Sequence, residues 1–119
     1  MLDLHCTTWC ENPDTPRSEC HAWSSAPTYE LSAMALGIYP SSDGFKTVRI
    51  KPVIDAFEID RASGSVHTPF GCIDVAWEKK DGVFSIEVTI PSEEMAAEVI
   101  LPDGQSKNVS GKAALECKI

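Results

Sequence analysis

The feature that most constrains this chain is a two-residue period in its apolar residues, which sets in at Phe45 and persists to the C-terminus. Val48 and Ile50 alternate with Thr47, Arg49 and Lys51. Ile73, Val75 and Trp77 alternate with Asp74, Ala76 and Glu78, and Phe84, Ile86, Val88 and Ile90 with Ser85, Glu87 and Thr89. Successive side chains on a strand point to opposite faces. Each segment therefore has one face to bury and one to leave in water. Asp81-Gly82 predicts a tight hairpin, because both positions of such a turn need positive φ. Pro102-Asp103-Gly104 and Ser110-Gly111 read as further turns. Phe57 and Ile59, then Ala97, Val99 and Leu101, then Val109, then Leu115, Cys117 and Ile119 supply the remaining strands. About six to eight short strands separated by turns predict an antiparallel β-sandwich, with Trp77 in its core.

Residues 1–23 show no such period and read as irregular. Ser24-Ser25-Ala26-Pro27 predicts a helix start, with serine as N-cap and proline in the first turn. Leu31, Met34, Ala35 and Ile38 then follow helical spacing for one apolar stripe, stopped by Gly37 and Pro40. The expected fold class is mainly β, a sandwich preceded by a loop and one short helix. The boundary is drawn between 1–40 and 41–119. A helix this short is marginal alone and needs a partner. Left uncovered, the Leu31–Ile38 face would favour self-association.

The net charge of −8, from 10 basic and 18 acidic residues, argues against nucleic acid or an anionic membrane as partner. No apolar run is long enough to span a bilayer, and MLDLHC lacks the flank and core of a signal peptide. Five cysteines at irregular spacing point to free thiols rather than a disulfide framework, which favours the cytoplasm. Nothing in the sequence calls for a cofactor.

The chemistry-bearing residues concentrate in Thr7–Ser24, TTWCENPDTPRSECHAWS. Glu11 reads either as a solvated loop acid or as a general acid or base aimed between aromatic rings. His21 reads as a satisfied core histidine or as a ligand for substrate hydroxyls. In an extended stretch it would share a face with Trp23. Trp9 and Trp23 read as core residues or as apolar walls against a sugar. Arg17 is expected to pair with Glu19 or Asp14 at the surface. Cys6, Cys10, Cys20 and His21, with His5 nearby, offer a rival zinc constellation, although the adjacent Cys20-His21 pair suits it poorly. No metal is assigned on this reading.

Thr7-Thr8-Trp9-Cys10-Glu11 and Arg17-Ser18-Glu19-Cys20-His21-Ala22-Trp23-Ser24 resemble the C-terminal end of bacterial α-L-rhamnosidases. Leu36-Gly37-Ile38, Gly44-Phe45-Lys46 and Gly64-Ser65-Val66-His67-Thr68-Pro69-Phe70-Gly71 extend the resemblance over nearly the whole chain. The resemblance implies an (α/α)6 barrel followed by a β-sandwich, with residues 1–40 as the barrel's last loop and helix. It implies a glycosidase that hydrolyses terminal α-L-rhamnosides with inversion. Glu11 would be the general base, His21 would contact rhamnose hydroxyls, and Trp9 and Trp23 would line the sugar pocket. The proton donor would lie upstream, outside this chain, so the chain would be a C-terminal fragment, inactive alone. The alternatives are a non-catalytic carbohydrate-binding module and a zinc-stabilised structural β domain.

Overall fold

The alternating segments form eight strands in the computed structural model, which describes residues 5, 7–12, 14, 17–18, 20–56 and 58–119. They are β1 (Ile38–Pro40), β2 (Thr47–Ile50), β3 (Arg61–Thr68), β4 (Gly71–Lys80), β5 (Val83–Thr89), β6 (Ala96–Ile100), β7 (Ser106–Val109) and β8 (Lys112–Lys118). Two four-stranded sheets result, one in the order β1-β2-β6-β7 and the other β3-β4-β5-β8. Every pairing is antiparallel except β2 with β6, which run parallel with Val48 opposite Ala97 and Ile50 opposite Val99. That exception to the expected antiparallel pattern needs a long crossover, and the chain makes it by building β3, β4 and β5 of the other sheet between the two strands. The chain divides into two units, Met1–Leu31 and Ser32–Ile119, and the second contains the whole sandwich.

The sandwich core is what the alternation predicts. Val48, Ile50, Ala97 and Val99 from one sheet join Ile73, Val75, Trp77, Phe84, Ile86 and Val88 from the other. Burying side chains of this size is worth about 1.5–3 kcal/mol each, so this cluster is the main source of stability. Trp77 packs 5.9 Å from Phe84, centroid to centroid. The β4–β5 turn is Asp81-Gly82 with φ of +51° and +76°, as the hairpin requires.

Three sequence expectations are corrected. The helix is shorter and more irregular than its stripe suggests. A 3-10 turn, Ala22–Ser25, leads into α1 (Ala26–Glu30), and a π-helical turn, Leu31–Ala35, follows. Ser25 makes no capping bond; its backbone is already helical and its hydroxyl donates to the His21 carbonyl at 3.3 Å. Gly37 then takes φ +76° and Ile38 belongs to β1, so Leu31 through Ile38 never forms one helical face. Leu36 and Ile38 are in the sandwich core, while Leu31 is 57% exposed. The self-association expected of a continuous Leu31–Ile38 face therefore loses its premise.

The second correction lies at 57–59. Ile59 is exposed and outside any strand, and Phe57 lies outside the described residues. The third is β3, which a hydrophobicity pattern hides because its inward positions are Ala62, Gly64, Val66 and Thr68. Gly64 is small for a reason. A Cβ there would sit 2.9 Å from Leu36 Cδ1.

The turn at 32–37 is tied to the sandwich through the carbonyls that a helix end leaves open. Trp77 Nε1 donates to the Ala35 carbonyl at 2.6 Å, Val53 N–H to Met34 at 3.0 Å, and Lys51 N–H to Gly37 at 2.8 Å. Gly37 lies so close to the Lys51–Pro52 backbone that a Cβ would be 2.1 Å from Pro52 N.

Candidate functional site

Within the first unit, backbone pairing folds the polar segment back on itself. The His21 N–H donates to the Trp9 carbonyl at 2.7 Å and the Glu11 N–H to the Ser18 carbonyl at 2.9 Å. In the segment closed off by the Glu11–Ser18 rung, Asn12 Oδ1 accepts the Asp14 N–H at 2.8 Å, a side-chain contact of the kind Asn favours. The Ser18 hydroxyl donates to the Cys20 carbonyl at 3.1 Å. Trp9 Nε1 donates to Thr28 Oγ1 at 3.1 Å, which fixes the indole against α1.

This clamp brings Glu11 and Arg17 together. Arg17 Nη2 donates to Glu11 Oε1 at 2.6 Å and Arg17 Nε to Oε2 at 3.1 Å, a two-pronged contact that sets the plane of the carboxylate. Arg17 thus pairs with Glu11 instead of the expected Asp14 or Glu19; Glu19 lies outside the described residues. The Glu11 side chain keeps 26% exposure while that of Arg17 keeps 81%. Each carboxylate oxygen spends one lone-pair direction on the guanidinium and keeps another for a water or hydroxyl.

His21 is half-buried with an extended backbone, φ −112° and ψ +118°. Its carbonyl accepts from the Ser24 N–H at 3.0 Å and from the Ser25 hydroxyl. Trp9 is half-buried as well. The extended geometry stops at His21, since Ala22–Ser25 is a 3-10 turn, so the shared face expected of His21 and Trp23 is not formed. Trp23 stands 88% exposed. Backbone bonds therefore join Trp9 to His21 and Glu11 to Ser18, Arg17 meets Glu11 through its side chain, and Trp23 takes no part in these contacts.

For the zinc constellation, Cys10 and Cys20 are free thiols, and Cys6 lies outside the described residues. Among the described residues no group of three or more His, Cys, Asp or Glu side chains gathers as a metal would need.

The sandwich carries a second polar surface that sequence reading passed over. On the outer face of β3 and β4, His67 Nδ1 lies 3.1 Å from Cys72 Sγ and Ser65 Oγ donates to Asp74 Oδ1 at 2.5 Å. Beside them is an open depression of about 420 Å³ lined by Arg61, Ser63, Ala76, Glu78, Ser85 and Glu87. These residues are the outward half of the alternation, so their grouping appears only once the strand register is known. The exposed large hydrophobics among the described residues of the second unit are Val53, Ile59, Val83 and Ile119. All are aliphatic and offer no aromatic platform for a sugar ring.

Residues 37–116 match the sequence model of the bacterial alpha-L-rhamnosidase C-terminal domain, and that stretch contains every strand of the sandwich apart from the last two residues of β8. The chain belongs to this family. Two curated relatives are similar to the rhamnosidase C-terminal domain seen here. The alpha-L-rhamnosidase of Alteromonas sp. (strain LOR) is 37% identical over 67 residues, covering 56% of this chain and 7% of the relative. That of Formosa agariphila is 32% identical over 73 residues, covering 61% of this chain and 8% of the relative. The chain thus spans less than a tenth of the length of these relatives. Among solved structures, an alpha-L-rhamnosidase from Dictyoglumus thermophilum superposes with a TM-score of 0.85 at 15% identity, over 100% of this chain and 17% of that one. The Streptomyces avermitilis alpha-L-rhamnosidase, solved in complex with L-rhamnose, gives 0.72 at 23% identity, over 91% of this chain and 12% of that one. At these identities the structural likeness establishes the fold.

Proposed function

We propose that the chain is the C-terminal portion of a longer glycoside hydrolase that cleaves terminal α-L-rhamnosides with inversion. The observation that carries this reading is the family match over residues 37–116, by a domain whose curated relatives are alpha-L-rhamnosidases many times its length. In this reading residues 1–40 close the active-site end of a helical barrel, and residues 41–119 continue into the sandwich. The sheet itself already takes up Ile38–Pro40 as β1.

Inverting hydrolysis requires two carboxyl groups on opposite sides of the sugar, about 6.5–9.5 Å apart. Glu11 is the base. It takes a proton from water as the water oxygen bonds to the anomeric carbon, and the bond to the leaving oxygen breaks. The second carboxyl, supplied by the barrel, protonates that leaving oxygen. His21 binds sugar hydroxyls through a ring nitrogen, while Trp9 and Trp23 form apolar walls. The 88% exposure of Trp23 suits a side chain whose contacts come from beyond this chain. The arrangement of Glu11 is compatible with the reading, since the guanidinium contact and the backbone rung to Ser18 give its carboxylate a defined orientation.

Two consequences can be measured. The isolated chain, lacking the acid and the walls that exclude water, should show no turnover of an aryl α-L-rhamnoside above background. The complete hydrolase should release β-L-rhamnose first, as followed by proton NMR before mutarotation. Release of the α anomer as first product would rule out inversion, and turnover by the isolated chain would show that it carries both catalytic groups itself.

A further inference from the structure

We propose that Arg17 is a positioning residue for Glu11, an inference that rests on the reading of Glu11 as the base. A glutamate on an irregular loop has three freely rotating side-chain bonds, and a base must hold one oxygen in line with a water. Three features of the loop supply that constraint. The Glu11 N–H bond to the Ser18 carbonyl brings position 11 alongside position 18, next to Arg17 in the chain. The guanidinium fork then contacts both carboxylate oxygens, at 2.6 and 3.1 Å, and fixes the plane of the carboxylate. The Asp14 N–H bond to Asn12 Oδ1 adds a further local constraint next to Glu11.

Exposure decides what this ion pair is for. With Arg17 81% exposed, its contribution to folding stability is small, as for other solvent-facing pairs. Its consequence is orientation. Arg17 leaves a lone-pair direction open on each oxygen of Glu11, so it steers the carboxylate without occupying the place of the water.

The test uses the complete hydrolase and compares Arg17→Ala, Arg17→Lys and Glu11→Gln. Arg17→Ala should lower kcat about 100-fold, the scale of losing alignment at a reacting group, while KM stays within about twofold. Guanidinium chloride at low millimolar concentration should restore part of that loss, and sodium chloride at equal ionic strength should not. Arg17→Lys should fall between, because an ammonium gives a point contact where the fork gives two. Glu11→Gln should be inactive and gain nothing from guanidinium. If Arg17→Ala keeps the parental kcat while Glu11→Gln is inactive, Arg17 does not position the base and the role of Glu11 stands. If Arg17→Ala is impaired but guanidinium and lysine recover nothing, its role is structural and the proposal fails. If Glu11→Gln turns over normally, the reading of Glu11 itself is wrong.

Discussion

At the scale of single residues, backbone constraint separates the positions that cannot change from those that can. Gly37 combines φ +76° with a would-be Cβ 2.1 Å from Pro52 N, so both dihedral and space exclude a side chain. Gly37→Ala should destabilise the chain by about 2 kcal/mol or more, seen as a lower urea midpoint at unchanged slope. An unchanged midpoint would mean that the 37–52 contact is not close-packed in solution. Glycine was legible in the sequence as a helix stop, but its contact with Pro52 was not, since that depends on a loop fourteen or so positions on. Glu11 and His21 stand out in the sequence as candidates because their neighbours are polar and aromatic. The partner of Glu11 was not, because Asp14 and Glu19 lie nearer to Arg17 in sequence, and only the backbone rung from Glu11 to Ser18 selects Glu11.

At the scale of elements, periodicity was a reliable guide where it was strong. β4 and β5 carry buried apolar residues at alternate positions and fold as read, with the Asp81-Gly82 turn between them. It failed where inward positions are small or where the signal was ambiguous. β3 hides behind Ala62 and Gly64, and the Leu31–Ile38 stripe satisfies helical spacing although Ile38 belongs to a strand. Of the stripe Leu31, Met34, Ala35 and Ile38 only Ile38 is buried, and it is buried as part of a strand, so apolar spacing alone did not report burial there. Trp77 joins these elements, since its indole N–H caps the Ala35 carbonyl from β4. Trp77→Phe keeps most of the apolar surface and loses that bond, so it should cost about 1–3 kcal/mol in denaturant unfolding. Phe84→Ala, which empties the middle of the same core, should cost about 3–5 kcal/mol. Equal costs for the two would show that the indole bond matters as much as core volume.

At the scale of the whole molecule, the sandwich and the clamp differ in what sustains them. The sandwich has a continuous core drawn from both sheets, whereas the described residues of the first unit contribute no buried side chain and are linked by backbone hydrogen bonds and the Glu11–Arg17 pair. That contrast is what the proposed function requires, a stable domain preceded by a segment whose further contacts lie beyond this chain. Whether Glu11 is the base of that enzyme is open to direct trial by replacing it with alanine in the complete hydrolase and adding azide, a small nucleophile that needs no base. Loss of rhamnoside turnover by Glu11→Ala, with azide restoring reaction and yielding β-L-rhamnosyl azide, is the result expected here. Turnover by Glu11→Ala at the parental rate in water alone would contradict it.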